Sequence, residues 1–379
     1  MISLVQANSL SYSDHQYDLK FGQGLRMALL KTDLPREILK SIADGTVIPA
    51  HPLAINSDRQ FDPVRQRALT RYYLDAGVGG IAVGVHTTQF AIRDIGLYEP
   101  ILKQAIETAH DWCDRPVVCI AGLVGQTQQA ISEARLAVGL GYHAGLLSLA
   151  AFKSASEDEI VEHCQRVAVE IPLVGFYLQP AVGGRLLSSG FWKRFAEIEN
   201  VVAIKMAPFN RYQTLDVIKG VVAAGAENRI TLYTGNDDHI VLDLAVPFNC
   251  VRDGELVQIR IKGGLLGHWS VWTSKAVELF VKIRQAVADD QVDADLLSLD
   301  SMVTDCNSAF FDAANGFQGC IAGCHEILRR QGLLEGIWCI DPEETMGPGQ
   351  AAEIDRVYQS YPQLNDDSFV STHLEKWLT

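Results

Sequence analysis

The residues of this sequence best suited to carbonyl chemistry stand at the ends of short apolar runs. Lys205 falls near the end of the run Val-Val-Ala-Ile-Lys-Met-Ala at 201–207. In low-dielectric surroundings an amine falls from its ordinary pKa of ~10.4 and can attack a carbonyl as a neutral nucleophile. Strand alternation puts Val201, Ala203 and Lys205 on one face and Val202, Ile204 and Met206 on the other, so an inward Ala203 would carry Lys205 inward too. A lysine that stretches to solvent from a strand end is the commoner arrangement, and the local pattern allows both. Tyr177, within 171–179, is either a core residue or a proton carrier for an imine intermediate. Thr87 and Thr88 either cap the next element or offer hydroxyls and N–H groups to a carboxylate. His51 and His86 are either structural imidazoles or acid–base groups that meet a polar substrate. Gly235-Asn236-Asp237-Asp238 follows the run 230–236 and overlaps its end.

These residues need elements that bring them together. Apolar runs recur at 47–55, 79–86, 116–124, 144–151, 171–179, 201–207 and 230–236, with an eighth at 265–272. They are rich in β-branched residues and do not alternate strictly, as expected of parallel strands covered on both faces. Helical patterns lie between them. Asp62-Pro63 opens one with a cap and a first-turn proline, and Ser156 opens another with Glu157, Asp158 and Glu159 behind it. A repeat of ~30 residues over ~250 residues describes an α/β fold of the (β/α)8 TIM barrel type. No G-x-G-x-x-G follows a strand, and neither a phosphate-binding P-loop nor a G-x-S-x-G elbow occurs. We divide the chain into an N-terminal extension (1–44), the barrel (45–295) and a C-terminal helical region (296–379). An insertion at 247–262 reads as two β-rich runs around Arg252-Asp253-Gly254, a hairpin turn.

Composition narrows the function classes. The formal net charge is −14, from 46 acidic and 32 basic residues, which disfavours nucleic acid and anionic membranes as partners. No apolar run approaches the roughly 18 residues of a membrane span. The first twenty residues carry no cationic segment followed by an apolar one, and the eight cysteines lie scattered in apolar contexts; a cytoplasmic protein with reduced thiols is expected. Cys320, Cys324 and His325 fit one helix without a partner pair at zinc spacing, so neither metal nor organic cofactor is expected.

Together the motifs resemble the dihydrodipicolinate synthase/N-acetylneuraminate lyase family of class I aldolases. They are His86-Thr87-Thr88-Gln89-Phe90 on the second strand, Tyr177-Leu178-Gln179-Pro180 on the fifth, Lys205 on the sixth 28 residues after the tyrosine, Gly235-Asn236-Asp237-Asp238 and Gly263-Gly264. The resemblance covers about Val47 to Phe280. It implies a catalytic set of Lys205, Tyr177 and Thr88, with Lys205 as Schiff-base lysine and Tyr177 as proton shuttle. Thr87 and Thr88 would hold the carboxylate of pyruvate or another 2-oxo acid, and His51, His86 and Gly235 would complete the substrate site. A lyase or synthase follows, with a small-molecule substrate and a homo-oligomeric state. Departures from the family pattern are Val182 in place of an arginine, Phe152 in place of a relay tyrosine, Gln89-Phe90 for Gly-Glu, and His51 and His86 beside the motifs. They leave room for a barrel that binds a carbonyl or carboxylate ligand without turnover, and for a Schiff-base sugar-acid dehydratase.

Overall fold

The computed structural model describes residues 28–379. Most of the expected N-terminal extension therefore lies outside the described residues. Its last part forms helix α1 (Arg36–Asp44), which sets Ile38 and Ile42 under the barrel as a floor. The Tyr233 hydroxyl donates to the Ile42 carbonyl at 3.0 Å and fixes that floor from inside.

Eight parallel strands form the barrel: β1 (Val47–Pro49), β2 (Gly80–Val83), β3 (Val118–Leu123), β4 (Ala144–Leu147), β5 (Leu173–Leu178), β6 (Val201–Ala207), β7 (Thr231–Thr234) and, after the hairpin strands β8 (Phe248–Arg252) and β9 (Glu255–Ile259), the eighth barrel strand β10 (Ile261–Leu266). Neighbouring strands pair in parallel from β2 through β7 to β10 and back to β1, and an Ala50–Ala82 bridge brings β1 beside β2. The outer layer contains α2 (Pro63–Asp75), α3 (Tyr98–Trp112), α4 (Thr127–Leu140), α5 (Glu157–Ala168), α6 (Ser189–Ala196), α7 (Arg211–Ala223), α8 (Ile240–Ala245) and α9 (Thr273–Ala288). The caps read in the sequence are present. Asp62 accepts from the Val64 and Arg65 N–H groups, and Ser156 and Glu159 cap each other reciprocally at the start of α5.

Two elements differ from expectation. The eighth strand covers 261–266, not 265–272. Beyond Leu266 the chain turns at His268–Ser270 and Trp269 folds back onto the strand, so closely that a Cβ on Gly264 would lie 2.6 Å from its ring. The run is apolar because it is buried, not because it is extended. The insertion is the expected hairpin, but only over 248–259, with Asp253 and Gly254 both at positive φ as a two-residue turn requires.

The C-terminal helices α10 (Ala294–Phe310), α11 (Cys320–Arg330), α12 (Gln350–Ser360) and α13 (Asp367–Leu378) share one core with the outer layer. Tyr72 of α2 donates to Asp366 at 2.8 Å, at the start of α13. The segment before α12 reaches the loops after β1 and β2: Arg59 donates to the Cys339 carbonyl, and the Ile340 N–H donates to Gln89 Oε1 at 2.6 Å. All eight cysteines are unpaired. Among the described residues no helix is long and apolar enough to cross a membrane, and no three His, Cys, Asp or Glu side chains converge as a metal site.

Candidate active site

Lys205 faces the barrel interior, and a β-bulge sets the face. Leu173 pairs with Val201 but Val174 with Ala203, so Val202 is an extra residue on β6. Val201 therefore turns outward and Val202 inward, opposite to plain alternation, whereas from Ala203 onward the expected pattern holds. Lys205 is only 8% exposed, and its Nζ lies 4.6 Å from the ring centroid of Phe176, its neighbour in register on β5. Burial pushes its pKa down to about 8, a fall that the negative charge of Asp237 resists. Among the described residues no carboxylate lies within ion-pairing distance of the amine. Gly235 makes room for the lysine stem, since a Cβ there would sit 2.6 Å from Lys205 Cε.

His86 belongs with this amine. Burial first and the Lys205 charge second hold its imidazole neutral, down to about 4. It starts the 3-10 turn His86–Thr88, against the edge of Phe90 at 5.9 Å. Asp237, part of a quoted motif but not singled out from the sequence, is the acidic member. It is buried beyond β7 and its carboxyl is pushed up to about 7, chiefly by burial. Its Oδ1 accepts from the His268 N–H at 2.9 Å, and Asn307 of α10 donates to its carbonyl at 2.6 Å. Cys320 at the start of α11 also feels the Asp237 charge, and burial raises its thiol strongly. His268, Asn307 and Cys320 lie 30 or more residues beyond the motif; no local spacing marks the first two, and Cys320 stood out only beside Cys324 and His325.

Several expected site residues are placed elsewhere or used otherwise. Tyr177 does not join Lys205. It pairs with Met206, faces outward against Trp192 at 5.2 Å, and exchanges hydrogen bonds with the Leu187 main chain at 3.2 and 3.4 Å. The 28-residue spacing holds, but the pairing gives the inward position to Phe176. His51 is a structural imidazole: Nδ1 bonds the Pro52 carbonyl at 2.8 Å and Nε2 the Thr70 hydroxyl at 2.9 Å, with the ring fully buried. Strand β1 ends at Pro49, so alternation no longer governs residue 51. The Thr87 hydroxyl donates to the Ala50 carbonyl at 2.7 Å and the Thr88 hydroxyl to the His51 carbonyl at 2.6 Å. Those hydroxyl protons are directed to the main chain. Arg185, near the Val182 position, donates to the Phe152 and Ala155 carbonyls at 2.6 and 2.7 Å.

A (β/α)8 barrel with a buried amine on its sixth strand thus defines the class of protein. The model of the dihydrodipicolinate synthetase family matches residues 44–249, more than half of the chain, and the chain belongs to that family. A 4-hydroxy-tetrahydrodipicolinate synthase of Persephonella marina is 24% identical over 182 residues, 46% of this chain and 61% of the relative. The chain thus spans less than two thirds of that synthase. N-acetylneuraminate lyase 2 of Escherichia coli O6:H1 is 23% identical over 301 residues, 78% of this chain and 87% of the lyase. Among solved structures, a dihydrodipicolinate synthase from Oceanobacillus iheyensis superposes with TM-score 0.69 at 13% identity, over 86% of this chain and 99% of that one. An E. coli K12 prophage protein of the same family, in complex with pyruvate, gives TM-score 0.67 at 19% identity, over 84% and 98%. Both share the barrel fold.

Proposed function

We propose that this chain is a class I aldolase-type lyase or synthase whose Lys205 forms a Schiff base with pyruvate or a related 2-oxo acid. The observation that carries this reading is the buried Lys205 amine, lowered toward neutrality at the inner face of β6. Attack of neutral Nζ on the C2 carbonyl, followed by loss of water, gives an iminium that draws electrons from C3. The His86 and Thr87 N–H groups, first in their 3-10 turn and without intrahelical acceptors, would bind the substrate carboxylate. That a family relative was solved with pyruvate supports the substrate class. A homo-oligomeric state and a cytoplasmic setting complete the proposal.

Pyruvate and a panel of 2-oxo acids, each reduced with borohydride and followed by intact mass, test it. The expected result is one covalent addition in the wild type and none in Lys205→Ala. No addition with any acid, or an unchanged one in Lys205→Ala, refutes it. The outward Tyr177 favours a second reading, a barrel that holds a carbonyl ligand without turnover. Ligand-induced stabilisation with no product from any 2-oxo acid and aldehyde pair would select it.

A further inference from the structure

Schiff-base chemistry needs a group that takes a proton from C3 of the iminium and later delivers one to the oxygen of the carbonyl partner. The resemblance implies tyrosine hydroxyls for this, but Tyr177 lies outside the interior and Phe152 has no hydroxyl. We propose that Asp237 is the proton-transferring group of this site, held in place by His268 and Asn307. The inference rests on the Lys205 reading above.

The geometry of the loop supports it. Thr234, the last residue of β7, pairs with Met206, so Gly235 leaves the sheet against the Lys205 stem and Asp237 follows two residues later. The loop is pinned to α10: Asn307 Nδ2 donates to the Asp237 carbonyl at 2.6 Å, and Thr304 Oγ1 to the Asp238 carbonyl at 2.9 Å. Asn307 Oδ1 meets His268 Nδ1 at 2.5 Å, and the His268 N–H holds Asp237 Oδ1 at 2.9 Å. Oδ2 has no donor among the described residues. One carboxylate oxygen is anchored and the other is free to carry a proton.

The neighbours fit the task less well. The Thr87 and Thr88 hydroxyl protons belong to main-chain carbonyls. His86, down to about 4, stays neutral near neutral pH and has no imidazolium proton to deliver, and the Cys320 thiol is raised too far to give one up readily. The Asp237 carboxyl, pushed up by burial, gains and loses a proton near neutrality.

The steps balance. Carboxylate Oδ2 takes a C3 proton, the C3–H electron pair forms the C2–C3 double bond of an enamine, and the iminium electrons return to Lys205 nitrogen. The enamine C3 then bonds to the carbonyl carbon of an aldehyde, the iminium forms again, and the Asp237 proton passes to the new alkoxide oxygen. Water adds to the iminium and releases product and amine. Cleavage is the same sequence in reverse, with Asp237 taking the hydroxyl proton.

Exchange of the pyruvate C3 protons in deuterium oxide, followed by proton NMR, reads the first transfer without an aldehyde. Borohydride trapping on the same samples reads the Schiff base separately. In Asp237→Asn the trapped adduct should remain while exchange falls about 100-fold or more. At saturating pyruvate Lys205 is an iminium and no longer titrates, so wild-type exchange should rise through one inflection near pH 7, absent from the variant. Of the other groups around Asp237, His86 and His268 titrate near 4, and Cys320 and Cys324 from α11 are strongly raised. Asp238 is raised chiefly by burial, and His239 is raised by its contact with Asp300 at 3.0 Å. Exchange in Asp237→Asn within about threefold of wild type overturns the proposal but leaves the Lys205 reading standing; absence of any wild-type adduct overturns both. Should Asp237→Asn lose its cooperative melt, His239→Gln supplies the background. An inflection kept near pH 7 there supports Asp237, and a flat profile refutes it.

Discussion

Gly235→Ala tests whether the lysine's place is built by the strand beside it. The added Cβ would stand 2.6 Å from Lys205 Cε, 3.1 Å from Lys205 Cγ and 2.8 Å from Ala207 Cβ. Real Cβ atoms are not found that close to carbon, so something must move. Gly235 is not among the positive-φ glycines, so alanine costs little in the backbone and the effect is steric. Overpacking of this kind costs about 1–3 kcal/mol, or a melting temperature lower by about 1–4 °C for a chain of this length. The flexible stem gives more easily than the Ala207 main chain, so the amine should shift by up to about 1 Å, which costs about 10- to 100-fold in the rate of adduct formation. Stopped borohydride trapping over time gives that rate, and scanning calorimetry gives the stability. The double variant Gly235→Ala with Lys205→Ala should recover part of the lost stability, because two of the three clashes vanish. A Gly235→Ala protein that melts and forms adduct like wild type would refute the placement of Lys205 against β7.

Tyr177→Phe should form adduct at the wild-type rate and lose only about 1 kcal/mol, since its hydroxyl bonds the Leu187 main chain; a large fall in adduct formation or C3 exchange would return the residue to the site. Arg93→Ala should destabilise by about 3–5 kcal/mol in chemical denaturation, because Glu133 would stay buried without its cationic partner at 2.8 Å, the Gly84 carbonyl would lose the Arg93 donor, and Gly122 would keep only Tyr98 of its two side-chain donors. Six imidazoles, His51, His86, His143, His163, His268 and His325, are held by burial down to about 4. Their folded pKa lies below the unfolded one, so the unfolded chain binds more protons between those values, and stability should fall as pH drops from about 6.5 to 4. Asp237, Asp238, Glu344 and Asp366, raised by burial, and His239, raised by Asp300, oppose that trend but are fewer. A melting temperature independent of pH across that window would contradict the buried-imidazole account.

The βα repeat was legible because it rests on a local pattern, apolar runs of strand length; alternation over three residues left Lys205 open, and the resemblance was needed to favour the inward reading. Faces were legible only where alternation is unbroken. The bulge at Val202 exchanges the faces of two valines, and the pairing of Phe176 with Lys205 sends Tyr177 to the opposite side of β5. A spacing of 28 residues fixes how far apart two side chains are along the chain, not which way either points. His51 was left open between two readings for a related reason: β1 stops at Pro49, so alternation could not say that the ring would be met by Thr70 from α2.

Asp237 shows the remaining limit. Its motif was visible, but what makes it different from Asp238 is burial against a main-chain N–H from the turn after β10 and an amide from α10. A carboxyl in that setting is costly unless it is anchored or protonated. Anchoring one oxygen while the other stays free gives a group that can hold a proton without leaving its place. The helices beyond the barrel are therefore part of the site: without Asn307 and His268, the loop after β7 would have no reason to keep an acid beside Lys205.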